Sequence, residues 1–137
     1  MHIQPYLFFG GRCEEALAFY RQSLGAEVTM MMRYKDSPAP PSPATMPPGS
    51  EDKVMHAAFR VGANLMMASD GDCAGTTSFQ GFGLALNAAD AAEAQRLYAA
   101  LSDGGEVRLP LQATFFSPAF GMVADRFGVM WMVMAPA

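Results

Sequence analysis

Residues 122–134, MVADRFGVMWMVM, decide the fold. An Asp followed three residues later by Gly, here Asp125 and Gly128, indicates a turn, because the carboxylate caps local N–H groups and Gly tolerates positive φ. The apolar runs on either side therefore predict a tight β-hairpin. Its second arm, residues 129–134, is apolar at every position, which predicts a strand buried on both faces.

The composition indicates one domain spanning residues 1–137. Of its 137 residues, 51% are hydrophobic, enough for a real core. The formal net charge of -4, with scattered Lys and Arg, excludes a nucleic-acid surface built on a basic stripe. Apolar runs are only strand-length and no signal pattern is visible, so we expect a cytoplasmic protein without a membrane span. Cys13 and Cys73 are then expected to be free thiols.

Apolar periodicity and glycine positions predict the order of elements. Helices are expected at 12–24, with Gly25 as the C-cap, and at 90–102, with Asp90 and Glu93 forming a capping box. Strands are expected at 3–9, 26–34, 53–61, 64–69, 79–87, 107–114, 120–124 and 129–134. Six prolines between residues 35 and 52 predict a loop that is either a lid or simply mobile, and that is poorly ordered without ligand.

The second half of the chain repeats the first. Residues 25–28, GAEV, match residues 104–107, GGEV, and Tyr20 follows Glu15-Ala16 as Tyr98 follows Glu93-Ala94. Each half therefore reads strand, helix, three strands, with module one at about 1–70 and module two at about 78–137. We expect an α+β protein with a pair of curved sheets.

Six motifs resemble the PhnB-like branch of the vicinal oxygen chelate superfamily, which includes glyoxalases and bleomycin-resistance proteins. They are residues 5–9 (PYLFF), 13–20 (CEEALAFY), 24–25 (LG), 54–59 (VMHAAF), 65–70 (LMMASD) and 125–131 (DRFGVMW). The resemblance implies two βαβββ modules whose curved mixed sheets enclose a cleft, and a homodimer. One departure is Ala58, since that branch often has an acidic residue after His-Ala.

Metal-dependent members of the superfamily bind a divalent ion with one side chain from the first and one from the last strand of each module. Matched through the helices, the first-strand positions fall at Pro5 and Gly83. Matched through Gly62 and Gly128, the last-strand positions fall at Met66 and Met132. A thioether is a poor ligand for hard or borderline ions. We therefore expect no metal and no cofactor, and interpret the cleft as apolar.

Several side chains remain as candidates for binding or chemistry. His56 shares a strand face with Ala58 and Arg60. Its ring either enters the cleft as an acid/base or hydrogen-bonding group, or lies in the core or at an edge with its hydrogen bonds satisfied. Arg60 is expected to pair with Asp52 or Asp70, the alternative being an anionic ligand. No Gly-x-Ser-x-Gly motif supports a nucleophilic serine. Gly10-Gly11, before the first helix, is a weak phosphate signal and more simply serves a turn.

Methionine, with 12 residues, is unusually frequent and suits irregular cores as well as adaptable binding surfaces. We expect Met67 in the core, whereas Met66 and Met132 fit core and binding surface equally well. The complete set of expected ligand-binding residues is Tyr6, Phe8, His56, Met66, Phe82, Phe120, Met122, Trp131 and Met132.

The favoured function is metal-free binding of a small apolar or aromatic molecule, as in a resistance or sequestering protein. The alternative is a metal-independent lyase- or isomerase-like enzyme with His56 as acid/base, and the third is a metal-dependent glyoxalase or dioxygenase. An imidazole facing the cleft beside a polar partner would favour the enzyme, and a packed imidazole would favour binding. Related sequences are called demethylubiquinone methyltransferase-like, but no Gly-rich methyl-donor motif is present.

Overall fold

The computed structural model describes residues 1–38 and 46–137. The chain divides into two compact units, Met1–Thr77 and Ser78–Ala137, and each is described by itself. The loop expected at 35–52 lies partly at 39–45, outside the described residues, and is flanked by single-turn 3₁₀ helices at Tyr34–Asp36 and Ser50–Asp52. In the described parts of the chain, no helix is long and apolar enough to cross a membrane.

The first unit is a four-stranded sheet, sheet one, with one helix. Its elements are β1 (Tyr6–Phe8), α1 (Cys13–Leu24), β2 (Glu27–Arg33), β3 (Val54–Val61) and β4 (Asn64–Ser69). The strand order is β1-β4-β3-β2, with β1 parallel to β4 and the other pairs antiparallel. Helix α1 ends where Gly25 adopts the left-handed conformation at φ 67, as its C-cap position predicted.

The core of the first unit lies between α1 and one face of sheet one. Tyr20 of α1 stacks on Phe59 of β3 with ring centroids 6.0 Å apart, and both are fully buried. Phe59 pairs with Met66 across β3 and β4, and Leu7 pairs with Ala68 across β1 and β4. Paired residues share a sheet face, so these side chains define the helix side of sheet one.

The second unit repeats this plan around sheet two. Its elements are β5 (Leu84–Asn87), α2 (Ala91–Ser102), β6 (Glu106–Gln112), β7 (Phe120–Ala124) and β8 (Met130–Met134), with strand order β5-β8-β7-β6. Asp90 caps α2 by accepting a hydrogen bond from the Glu93 N–H at 2.8 Å. The observed order confirms the predicted α+β class with two βαβββ modules.

Asp125 builds the predicted hairpin turn between β7 and β8. Its Oδ1 accepts hydrogen bonds from the N–H groups of Phe127 and Val129, at 2.9 and 3.1 Å, and its Oδ2 accepts one from the Trp131 indole at 2.9 Å. Gly128 has φ 92, which an L side chain rarely adopts. The hairpin is confirmed, and its carboxylate is held by three donors.

Two expectations about the strands need correction. Strand β8 is buried on one face only: Trp131 and Val133 lie in the core, while Met130, Met132 and Met134 are half-buried. The strand predicted at 79–87 begins only at Leu84, because Gly81, at φ 87, takes a backbone conformation outside the strand region. Phe79, which was predicted to begin this strand, lies in the loop before it and is buried.

Candidate ligand-binding site

The face of sheet one that points away from α1 carries an aromatic and methionine surface. Strand alternation places on it the residues that alternate with the helix-side ones. Register confirms the grouping, since Met67 pairs with both Tyr6 and Ala58, and Ala58 pairs with Met30. We call this surface the open face of sheet one. Its aromatic, histidine and apolar residues are Tyr6, Phe8, Met30, Met32, His56, Ala58 and Met67, and the ion pair of Arg60 with Glu27 lies on the same face.

A hydrogen bond between Tyr6 and His56 is the polar feature of this open face. The Tyr6 hydroxyl lies 3.0 Å from His56 Nδ1, with ring centroids 5.5 Å apart. Strand β4 lies between β1 and β3, so the Tyr6 ring reaches across β4. Among the described residues this is the hydrogen bond that the His56 ring makes, and Nε2 keeps its own capacity to donate or accept.

Phe8 extends the ring system on the solvent side. It stacks on Tyr6 with centroids 4.8 Å apart and an interplanar angle of 29°, and its side chain is 56% exposed. An exposed, oriented ring beside a hydrogen-bonded imidazole offers a planar apolar molecule both a stacking partner and a polar contact. Of the predicted ligand-binding residues, Tyr6, Phe8 and His56 are therefore brought together.

Met66 and Trp131, both predicted to bind ligand, lie in the cores instead. Met66 is 5% exposed on the helix side of sheet one, and Trp131 is 3% exposed and bonded to Asp125. Met67, expected in the core, occupies the open face.

Trp131 is in the core because it alternates with Met132 along β8, whereas for Met66 and Met67 the physical reason is turn length. In the first unit a two-residue turn joins the paired residues Val61 and Asn64, whereas residues 125–129 join the pair Ala124 and Met130 in the second. Two and five residues differ by an odd number. Met66 and Met132, which each follow a turn glycine by four residues, therefore lie on opposite faces of their sheets, Met66 on the helix side and Met132 on the open face.

The remaining predicted residues lie in the second unit. Phe120, Met122 and Met132 share the face of sheet two that points away from α2, because Met122 pairs with Met132 and Phe120 with Met134. The open face of sheet two thus comprises Phe120, Met122, Met130, Met132 and Met134, all half-buried. Phe82 is 53% exposed and precedes β5.

A polar cavity of about 390 Å³ lies elsewhere in the first unit and contains none of the predicted ligand-binding residues. Its charges neutralise each other: Arg33 pairs with Glu14 at 2.6 Å and Lys35 with Asp52 at 2.9 Å. The Arg33 hydrogen bonds hold the pKa of Glu14 below its usual value. Lys53, the third cation on the lining, donates to the Gly11 carbonyl at 2.9 Å. The three cations are balanced by Glu14, Asp52 and Asp70, so we do not assign the cavity to an anionic ligand.

Asp70, fully buried beside that cavity, joins three elements of the first unit. Its Oδ1 accepts hydrogen bonds from the N–H groups of Gly11 and Cys13, at 2.9 and 2.7 Å, and its Oδ2 accepts one from Val54 at 2.8 Å. These N–H groups at the start of α1 are therefore used internally. Arg60 was predicted to pair with Asp52 or Asp70. It pairs instead with Glu27 at 2.7 Å.

The donor set does not fit the divalent metal of the superfamily. The described residues contain no group of three or more His, Cys, Asp or Glu that could hold a metal ion. Because Met67, and not Met66, lies opposite Tyr6 on the open face, Met67 takes the ligand position that was predicted for Met66. One thioether is thus exchanged for another. Thioethers are unsuited to hard and borderline ions, the Pro5 ring offers no donor atom, and Gly83 has no side chain.

Comparison with known proteins places the chain in a family. The model of the 3-demethylubiquinone-9 3-methyltransferase family matches residues 1–134. The chain belongs to this family. Within it, the protein YjdN of Escherichia coli (strain K12) is 34% identical over 138 residues, which cover 97% of this chain and 94% of YjdN.

Solved structures agree with this family assignment. The protein PA1353 from Pseudomonas aeruginosa superposes with a TM-score of 0.86 at 42% identity, covering 99% of this chain and 98% of that one. The PhnB protein from Bacillus cereus gives 0.78 at 27% identity, covering 98% and 99%. The fosfomycin resistance protein FosX from Listeria monocytogenes, at 10% identity and a TM-score of 0.66, shows the shared fold alone. The resemblance to the PhnB-like branch is confirmed, and the fold is the one that FosX shares.

Proposed function

We propose that the protein binds a small, planar, largely apolar molecule on the open face of sheet one. The observation that carries this proposal is the Tyr6–His56 hydrogen bond beside the exposed Phe8 ring. A ligand ring would stack on Phe8, and one polar group on it would bond to His56 Nε2. Met30, Met32 and Met67 would adjust to its outline, because methionine is unbranched and flexible.

The expected affinity comes mainly from apolar burial. Covering a Phe side chain contributes about 1.5–3 kcal/mol, so Phe8→Ala should raise Kd roughly tenfold to a hundredfold. His56→Gln keeps polarity but loses the imidazole, and should cost about 1 kcal/mol for the lost hydrogen bond.

The test is an NMR titration with 1-naphthol, a planar apolar molecule carrying one hydroxyl. Saturable shifts are expected at Tyr6, Phe8, His56 and Met67, and should weaken in Phe8→Ala. Phe115→Ala is the matched control, because Phe115 is 99% exposed in the second unit. Equal losses in the two variants, or shifts that map away from the open face of sheet one, would contradict the proposal.

The second candidate is a metal-independent enzyme with His56 as acid/base. It is favoured by the same hydrogen bond, because an imidazole on an open face, oriented by a tyrosine, is suited to proton transfer. We rank it second because Glu27, the carboxylate that strand register places on this face, is paired with Arg60 at 2.7 Å and is therefore not available as the opposite acid or base. Solvent-deuterium exchange into hydroxyacetone, faster with the wild type than with His56→Gln, would reverse this order.

Methyl transfer, which the family name denotes, is not part of the proposal. The Gly10-Gly11 turn would be the place for a bound methyl donor, but Asp70 already accepts hydrogen bonds from the N–H groups of Gly11 and Cys13 there.

A divalent metal is not part of the proposal either, because the side chains at the superfamily's ligand positions are poor ligands for such an ion. Zn, Ni or Mn at a hundred times the Kd of a native-state site would stabilise the fold by roughly 2.7 kcal/mol. We expect no rise in Tm with any of the three, and a rise lost in His56→Gln would contradict this.

A further inference from the structure

Three thioethers and one imidazole share the open face of sheet one on three neighbouring strands. Met30 of β2 and Met67 of β4 both pair with Ala58 of β3, and Met32 of β2 pairs with His56 of β3. Neighbouring strands lie about 4.8 Å apart, so the Cα atoms of Met30 and Met67 are about 10 Å apart with only the methyl of Ala58 between them. Each thioether has three rotatable bonds with which to reach this gap.

We propose that this cluster is a binding site for a soft monovalent cation, Cu(I) or Ag(I), held by Met30, Met32, Met67 and His56 Nε2. Thioether sulfur and imidazole nitrogen are ligands that soft ions accept, whereas hard ions require oxygen. The thioether chemistry that does not suit the superfamily's divalent ion therefore suits a different class of metal. This cation would use the same open face as the organic ligand proposed above, but the inference rests on the sulfur and nitrogen ligands and not on the Phe8 ring.

Tyr6 prepares the imidazole for this role. Its hydroxyl occupies His56 Nδ1 at 3.0 Å, which fixes the ring and leaves Nε2 as the coordinating atom. Metal-bound histidines commonly have their second nitrogen held in this way, and losing such a partner costs about 10–100-fold in metal affinity. The nearby cation, Arg60, is paired with Glu27 at 2.7 Å, so its charge is compensated.

The open face of sheet two provides an internal comparison. It carries Met122, Met130, Met132 and Met134, with Met122 and Met132 directly paired, but no histidine. The two histidines of the chain are His2 and His56, both in the first unit. If the imidazole completes the site, the first equivalent of a soft cation binds sheet one and leaves the sheet-two thioethers unchanged.

The experiment is a titration with silver nitrate in chloride-free buffer, followed by NMR of protein labelled at the methionine methyl carbons. Cys73→Ser is used as the background because thiols also bind silver. Cys13 is fully buried, so added silver cannot reach its sulfur while the protein stays folded. The first equivalent should shift the methyl signals of Met30, Met32 and Met67. An earlier shift of Met122 or Met132 would overturn the proposal.

Leucine variants separate this site from apolar binding, because leucine keeps the volume and removes the sulfur. Met30→Leu and Met67→Leu should each weaken Ag(I) binding by about tenfold or more, and Tyr6→Phe by about tenfold. Met31→Leu is the matched control: Met31 pairs with Ala57 on the opposite face and, at 41%, is as exposed as Met30 at 40%.

Different results would contradict the organic-ligand proposal and the soft-cation proposal. Phe8→Ala should weaken 1-naphthol binding and keep silver binding, because a phenyl ring supplies no sulfur or nitrogen ligand, whereas Met30→Leu and Met67→Leu should weaken silver binding. If Met31→Leu weakens silver binding as much as Met67→Leu, the sulfurs act without a defined site and the metal proposal is wrong. If silver binding is unchanged in both Met30→Leu and Met67→Leu, it is equally wrong, whatever the result with 1-naphthol.

Discussion

A single buried carboxylate, that of Asp70, holds the start of α1, the start of β3 and the end of β4 together. Asp70→Asn would place an amide N–H₂ among three N–H donors, so at least one donor loses its acceptor. We expect a loss of about 3 kcal/mol in the free energy of unfolding by urea. Asp72→Asn is the control, because Asp72 is exposed and caps only the Ala74 N–H. Equal losses in the two variants would refute the role of Asp70.

Adjacent methionines on β4 test the assignment of faces. Met66→Gln buries an amide in the core and should cost about 3 kcal/mol, whereas Met67→Gln on the open face should cost about 1 kcal/mol or less. The ligand-binding effects should be reversed, with Met67→Gln weakening 1-naphthol binding and Met66→Gln leaving it unchanged in the folded fraction. Thermal melts together with the NMR titration give both values. The opposite pattern would restore Met66 to the site.

At the level of elements, β7 packs against β6 and α2 without room for a side chain at Gly121. A Cβ there would lie 2.8 Å from Tyr98 Cε2 and 2.9 Å from Leu111 Cα. Gly121→Ala should therefore cost about 1–3 kcal/mol of stability. Gly83→Ala is the matched control, since its Cβ would meet the flexible Met130 side chain at 3.2 Å and should cost about 0.5 kcal/mol or less. Similar urea midpoints for the two variants would contradict this packing.

The type and order of the elements could be predicted because each carries its own local signal. Gly25 ends α1, Asp90 begins α2, and Asp125 with Gly128 forms the hairpin turn. The faces of the closing strands could not be predicted by matching glycines, because the residues between paired strand ends differ in number. The Tyr6–His56 bond was also missed. It crosses an intervening strand, and only the register of β1 against β4 and of β4 against β3 reveals it.

For the whole molecule, we expect a homodimer. Each four-stranded sheet has two edge strands, β1 and β2 in sheet one and β5 and β6 in sheet two. Unpaired edges favour association with another chain. Apolar side chains such as Met31 on β2 and Val107 on β6 are 41% and 50% exposed. Light scattering should give twice the 14.7 kDa chain mass. A monomer at high micromolar concentration would contradict the dimer.

The alternation along β8 divides its side chains by their access to oxidants. Met130, Met132 and Met134 lie on the half-buried face, while Trp131 and Val133 are in the core. Peroxide converts an accessible thioether to a sulfoxide, which is polar, and reductases reverse the change. Oxidation would therefore make the open face of sheet two polar without removing the packing that holds the sheet. Under mild peroxide the second unit would stay folded with a polar outer face, and a sulfoxide reductase would restore the apolar one.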